Sequence, residues 1–215
     1  MTEKKENRMG VMPVGKLLFS MSTPMVISFL VQSLYNIVDS VFVARYSPDA
    51  LAAVSLAYPI QILMIAVSVG TGVGVNALLS RLLGEGKKDR AKVTADNAVL
   101  LAIIASIAFA IFGAIGTKAF FDAQTNNESI RSLGYSYLSI VSIFSFGLIL
   151  EVTYERILQS TGKTIYNMIT QGIGAIINII LDPILIFGLL GAPKLGIAGA
   201  AIATVTGPVS YTHLR

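Results

Sequence analysis

The chain has 215 residues, of which 54% are hydrophobic and 13% are charged, and its formal net charge is +4. Soluble domains usually contain about 25% charged residues, so this composition excludes an ordinary soluble domain and indicates an integral membrane protein. Cysteine is absent, which excludes a disulfide-stabilised fold and thiol chemistry.

Charged residues divide the sequence into six apolar segments. About 20 apolar residues are needed to cross the core of a bilayer, and the sixth segment is interrupted by "SYTHLR" before reaching that length. We therefore predict an all-α integral membrane protein whose sixth helix is truncated, with a cytoplasmic segment at 1–16, a transmembrane bundle at 17–208 and an atypical tail at 209–215. His213, in that tail, is given no role. The predicted helices cover residues 17–45, 50–82, 93–118, 130–154, 163–190 and 195–208.

The positions of lysine and arginine predict how the chain crosses the membrane. With the N-terminus in the cytoplasm, the inner segments hold eleven basic residues and the outer segments hold four. Because basic residues accumulate in cytoplasmic loops, this bias favours a multi-pass protein of the cytoplasmic (inner) membrane with its N-terminus inside. It also explains the basic stretch "RLLGEGKKDRAK" without a nucleic-acid partner. The inner residues are Lys4, Lys5, Arg8, Lys16, Arg81, Lys87, Lys88, Arg90, Lys92, Arg156 and Lys163, and the outer ones are Arg45, Lys118, Arg131 and Lys194.

The first apolar segment carries a polar stripe within "FLVQSLYNIVDSVF". At about 100° per residue, Gln32, Tyr35, Asn36 and Asp39 share one face of a helix. A charged side chain inside a membrane costs a few kcal/mol or more and normally faces a cavity or a partner, so Asp39 indicates a functional site. The neutral residues of the stripe fit either a cavity lining or hydrogen bonds between helices.

The fifth apolar segment contains a second embedded acid, in "GAIINIILDPILIFG". Asn178 and Asp182 are four residues apart and therefore share a helical face. Pro183 removes a backbone donor and disturbs the helix, and Pro24 offers a similar bend point in the first helix. Asp182 can thus be read either as a functional acid or as part of a structural break.

Counting along the segments places the embedded oxygen atoms at one depth. Asp39 and Asp182 both fall in the outer half of their helices, and Thr204 falls near the same level on the returning sixth helix. Hard cations prefer oxygen ligands, so Na⁺ could bind at Asp39, Asn178 and Asp182, whereas a desolvated carboxylate could exchange protons instead. Both coupling ions stay open, and a threonine can also simply bond to its own helix.

The inner end of the fourth segment carries Glu151, Glu155 and Arg156. Glu155 and Arg156 are expected at the water interface, and Glu151 is expected there or in a cytoplasmic gate. No set of residues suited to catalysis is apparent, and the glycine-rich stretch at 70–86 lacks the spacing of a phosphate loop. We therefore expect a protein that is not an enzyme and that needs no cofactor beyond a coupling ion.

Several motifs together carry a family resemblance. Besides Pro24 they are "VQSLYNIVDSVFVARY", "RLLGEGKKDRA", "ILQSTGKT", "NIILDPILIFG" and "LGIAGAAIAT". With these motifs the sequence resembles the N-terminal half of the multidrug and toxic compound extrusion (MATE) family, prokaryotic branch. The resemblance implies the N-terminal six-helix lobe of a twelve-helix transporter, related to a C-terminal lobe by pseudo-two-fold symmetry. It implies that the chain is a fragment, which we expect not to transport alone.

The resemblance also implies an activity and its residues. MATE-type transporters export small organic cations and other amphipathic compounds through cation-coupled antiport, by alternating access. Carried over by motif, the coupling-ion residues are Asp39, Asn178, Asp182 and Thr204, and the cavity residues are Gln32, Tyr35 and Asn36. The expected partners are therefore the small-molecule substrate, the lipid bilayer and the second lobe. Two alternatives stay open: a lipid-linked saccharide flippase of the same superfamily, which acidic embedded charges disfavour, and a non-transporting membrane scaffold.

Overall fold

A computed structural model describes the backbone of residues 12–212 and the side chains of residues 12–207. The predictions for Lys4, Lys5, Arg8 and His213 therefore lie outside the described residues. Within them the chain folds as a succession of helices, which confirms the all-α prediction. The helices are α1 (Val14–Tyr46), α2 (Pro48–Gly84), α3 (Lys88–Ile111), α4 (Thr117–Gln124), α5 (Glu128–Ile143), α6 (Phe146–Ser160), α7 (Thr164–Phe187) and α8 (Ile197–Thr212).

Helix length and hydropathy identify the membrane spans. Four helices are long and apolar enough to cross a bilayer: α1, α2, α7 and the continuous stretch Lys88–Gln124 that joins α3 to α4. Helices α5 and α6 pass the same test only as a pair bent by 44°. The apolar part of α8, Ile197–Gly207, is shorter. An integral membrane fold is thus confirmed, and six spans remain a prediction.

The fourth predicted helix, at 130–154, is interrupted near its middle. Phe144 leaves helical geometry, with φ −94° and ψ 18°, and separates α5 from α6. A π-helical segment, Phe112–Gly116, faces this break from the third span. A Cβ on Gly113 would come within 2.9 Å of the Ile143 nitrogen, so the absence of a side chain there lets the two irregular segments pack together.

Tight packing of α1, α7 and α8 determines where the polar residues meet. Helix α1 packs mainly against α7, and α7 packs against α8. Small residues allow the close approach: Ala200 and Ala201 on α8 are fully buried, and a Cβ on Gly199 would lie 2.5 Å from the Leu185 carbonyl oxygen. This brings Asp39, Asp182 and Thr204 to one region of the bundle.

The connection between α2 and α3 is a tight charged turn. Gly86 adopts a left-handed conformation with φ +74°, where a side chain would be strained. The Glu85 carboxylate accepts hydrogen bonds from Lys87 at 2.7 Å and Arg81 at 2.9 Å, and these cations lower the pKa of Glu85 to about 2. Exposed ion pairs of this kind add little stability.

Helix α5 begins with an asparagine cap whose removal gives a small, testable effect. The Asn127 side-chain oxygen accepts hydrogen bonds from the backbone nitrogens of Ser129 at 3.0 Å and Ile130 at 3.3 Å. We expect Asn127→Ala to cost about 1 kcal/mol of stability and to lower the thermal unfolding midpoint. Asn126→Ala is the matched control, since Asn126 is exposed and precedes the cap. Equal losses in the two variants would contradict the capping role.

Candidate functional site

The centre of the candidate site is a pair of acids on separate helices. Asp39 of α1 and Asp182 of α7 interact directly through their side chains. Asp182 is fully buried and Asp39 is 9% exposed. Two buried carboxylates at such close range repel each other unless a proton or a cation compensates their charge. The geometry therefore creates a place where a small positive species is stabilised.

The oxygen atoms around this pair fit such a species. Within residues 12–207, Asp39 Oδ1, both Asp182 oxygens and Asn178 Oδ1 are buried without a hydrogen-bond donor. A buried acceptor left unpaired costs about 1–3 kcal/mol. Two carboxylates and an amide oxygen suit a hard cation, and a proton held between the carboxyl groups would relieve the same repulsion. The residues predicted for the coupling ion thus lie together and have the right chemistry for one.

Both prolines of the predicted bend points lie inside continuous helices, Pro24 in α1 and Pro183 in α7. Each lacks the backbone donor that would otherwise bond to the residue four positions earlier. Pro183 directly follows Asp182, so the backbone beside the acid pair has one helical hydrogen bond fewer. Helix bending at these positions remains a prediction.

Near Thr204 and Asp39 lie two polar residues that the sequence analysis did not identify, Tyr137 and Gln61. The Thr204 hydroxyl donates to the Ala200 carbonyl at 2.9 Å and lies beside the Tyr137 side chain. The Tyr137 hydroxyl accepts a hydrogen bond from Gln61 Nε2 at 3.0 Å and lies near Asp39. Tyr137 is 2% exposed. Gln61 and Tyr137 are polar residues inside the uncharged segments that form α2 and α5, and this pattern could have identified them from the sequence.

An open cavity lies next to the acid pair. Its lining includes Gln32 and Tyr35 from α1, Asn178 from α7 and Thr204 from α8. Asp39 and Asp182 are buried and are not part of the lining. Asn36, which was predicted to line the cavity, is exposed and is not part of the lining. The polar stripe on α1 is about 100° wide at 100° per residue, and Asn36 lies at one edge of it.

The other end of the cavity is lined by charged and amide side chains from α6 and α7. Glu155 and Arg156, expected at the water interface, both line the cavity, and Glu155 is only 7% exposed. The interface expectation is therefore wrong for Glu155. The reason is that α7 covers it: Gln171 Nε2 donates to Glu155 Oε1 at 2.6 Å, and Asn167 Nδ2 donates to the Glu155 carbonyl at 3.2 Å. The remaining polar lining residues here are Glu151 and Gln159.

Comparison with known proteins gives a consistent picture. The MatE family model matches residues 24–184. The chain is 34% identical over 193 residues to the FAD transporter of Shewanella oneidensis, covering 90% of this chain and 43% of that protein. It is 29% identical over 188 residues to the probable multidrug resistance protein YoeA of Bacillus subtilis, covering 87% of this chain and 41% of that protein. The chain therefore spans less than half the length of these relatives.

Solved structures match as well. A multidrug resistance MATE family transporter of the MOP superfamily, determined in an outward-facing conformation, superposes with a TM-score of 0.86 at 29% identity. The match covers 93% of this chain and 43% of that one. A MOP superfamily transporter from Pyrococcus furiosus gives the same TM-score, identity and coverage.

Proposed function

The chain belongs to the MatE family, and from that premise we propose that it is one lobe of a cation-coupled antiporter that exports organic cations and other amphipathic compounds. The observation that carries the proposal is the contact between Asp39 and Asp182 beside a cavity lined by Asn178 and Thr204. The name of the Bacillus subtilis relative, a probable multidrug resistance protein, supports drug-like substrates.

The proposed coupling works through the repulsion between the two acids. Helix α1 packs mainly against α7, so the charge state of Asp39 and Asp182 sets the strength of that contact. Na⁺ or a proton at the pair favours close packing of α1 and α7, and its release favours separation. An ion shifts such an equilibrium only through different affinity for the two states, and a site shared by two helices supplies that difference.

The whole transporter includes partners beyond this chain. Because the relatives are more than twice as long as the matched region, we propose a second lobe that closes the other side of the cavity. Alternating access then arises from movement of one repeat against the other. The proposed location is the cytoplasmic membrane, with the N-terminus in the cytoplasm, on the basis of the charge bias.

A second candidate is export of a flavin nucleotide. It is favoured by the relative in Shewanella oneidensis, which is named as an FAD transporter and is 34% identical to this chain. It shares the ion-coupled mechanism with drug export and differs in the substrate that enters the cavity.

The proposal predicts efflux that depends on an ion gradient. We expect proteoliposomes that contain the full-length protein to transport ethidium when a Na⁺ or a proton gradient is imposed. The gradient that drives ethidium transport identifies the coupling ion. Collapsing that gradient with an ionophore should return ethidium movement to the rate of protein-free liposomes. Equal transport with and without both gradients would refute coupling, and FAD added as a competitor separates the two candidate substrates.

A further inference from the structure

The Arg156 side chain lines the cavity and packs against a glycine of α2. Its aliphatic stem crosses α2 at Gly72, where a Cβ would lie 2.6 Å from Arg156 Cγ. Gly72 is buried, and the Arg156 stem occupies the space that a side chain at position 72 would need. The arginine is therefore held against α2 at the cavity wall, in contrast to a freely moving surface residue.

Within the part of the chain that the structure describes, the Arg156 guanidinium makes a hydrogen bond to a neutral amide and no close ion pair. Arg156 Nη1 donates to Gln159 Oε1 at 2.8 Å, and Gln159 is a neutral amide that also meets Asn76 at 3.4 Å. Arg156 Nε is buried without an acceptor, and no ion pair involves Arg156 among residues 12–207. Arg156 as a whole is half-buried, and a partly desolvated charge is stabilised by an opposite charge, so an anionic group is favoured at this position.

The neighbouring acid is directed elsewhere. Consecutive residues point about 100° apart on a helix. Glu155 therefore faces α7, where Gln171 donates to its carboxylate, while Arg156 faces α2. At this end of the cavity, Arg156 and Glu155 are therefore directed to different helices.

From this arrangement we propose that Arg156 forms a subsite for a carboxylate or phosphate group on the transported molecule. The inference rests on the proposed transport function, and it adds amphipathic compounds that carry such a group to the substrates of the cavity. Guanidinium groups recognise carboxylates and phosphates through charge-assisted hydrogen bonds. Apolar lining residues, including Phe29, Leu148 and Val152, would contact the rest of the ligand.

Two pairs of fluorescent probes test the proposal by binding alone. Rhodamine 110 has a free carboxylate, and rhodamine 123 is its methyl ester. Flavin mononucleotide has a phosphate, and riboflavin lacks it. Binding is measured by fluorescence anisotropy to the complete protein in nanodiscs, without an ion gradient. We expect Arg156→Gln to lower the affinity for the member of at least one pair that carries the carboxylate or phosphate by about tenfold, and to change the affinity for the member without that group by less than about twofold.

The pattern across the pairs identifies the group. A loss confined to rhodamine 110 assigns a carboxylate, a loss confined to flavin mononucleotide assigns a phosphate, and a loss in both assigns either oxyanion. An equal loss for both members of each pair, or no loss in either pair, overturns the proposal. Arg90→Gln is the control, because it makes the same charge change at an exposed arginine.

Further variants separate binding from folding and from coupling. Arg156→Lys keeps the positive charge and should retain part of the preference for the probe with the carboxylate or phosphate. Gly72→Ala should weaken binding of that probe by displacing the Arg156 stem. Thermal unfolding midpoints show that each variant is folded. Asp182→Asn should abolish coupled transport yet keep the probe preference, so failure of this subsite and failure of the coupling mechanism give different results.

Discussion

Asp182→Asn is expected to abolish ion-driven efflux while the protein stays folded. Asp182 is fully buried and interacts with Asp39. Asparagine has nearly the same shape but removes one of the two charges that hold a proton or a cation. The repulsion between α1 and α7 disappears as well, so the thermal unfolding midpoint in ion-free buffer should equal or exceed that of the wild type. The readouts are gradient-driven efflux in proteoliposomes and the unfolding midpoint.

Removing one acid of the pair should also remove the stabilisation of the protein by the coupling ion. If Na⁺ is the coupling ion, a concentration of 100 times its dissociation constant stabilises the wild type by about 2.7 kcal/mol, and that increment should vanish in Asp182→Asn and in Asp39→Asn. Asp96→Asn is the control, since Asp96 is an exposed acid on α3. Asp182→Asn protein that still couples efflux to an ion gradient would remove the acid pair from the mechanism.

The acid pair was predictable because charge inside a membrane is rare and expensive. Asp39 and Asp182 stood out in apolar segments, and residue counting at about 1.5 Å per residue placed them and Thr204 at a common depth. The structure brings these three side chains into one region, with α1 and α8 both packed against α7. Periodicity and helical rise are local properties, so they can be read along the chain.

The remaining parts of the site depend on contacts between distant segments. Tyr137 and Gln61 are neutral, and they become part of the site only because α5 and α2 bring them together at 3.0 Å. Arg156 follows Glu155 at the end of an apolar segment, where an interfacial position was the simplest interpretation. Its place in the cavity depends on Gly72, 84 residues earlier in the chain. The interruption at Phe144 likewise depends on packing against the third span.

The two proposed sites in the bundle differ in their chemistry. The acid pair and Asn178 Oδ1 offer acceptor oxygens beside the cavity, whereas Arg156 offers guanidinium donors at the other end of the cavity. If both proposals hold, a coupling cation and an oxyanion on the substrate bind at separate groups and do not compete directly. The packing of α7 against α8 fixes the position of the helix that carries Asp182 relative to the helix that carries Thr204, so a change at that contact should affect both stability and coupling.

Gly199→Ala tests this contact and is expected to destabilise the protein by about 2–3 kcal/mol or more, as overpacking of a tight interface does. A Cβ at Gly199 would lie 2.5 Å from the Leu185 carbonyl oxygen, 2.6 Å from its carbon and 3.0 Å from the Ile186 nitrogen. These are backbone atoms, which cannot move away without moving α7. The same Leu185 oxygen accepts a hydrogen bond from the Leu195 nitrogen at 3.0 Å, so the displacement would also weaken the α7–α8 connection.

Gly74→Ala is the matched control for this substitution, because a Cβ at Gly74 has no atom within 4 Å among the described residues. Replacing glycine by alanine at an open helical position usually gains about 1 kcal/mol, so the two variants should shift the thermal unfolding midpoint in opposite directions. Gly199→Ala should also reduce coupled efflux, since Asp182 lies within one turn of Leu185 on α7. If the Gly199→Ala protein were as stable as the Gly74→Ala protein, the close packing of α8 on α7 would be contradicted.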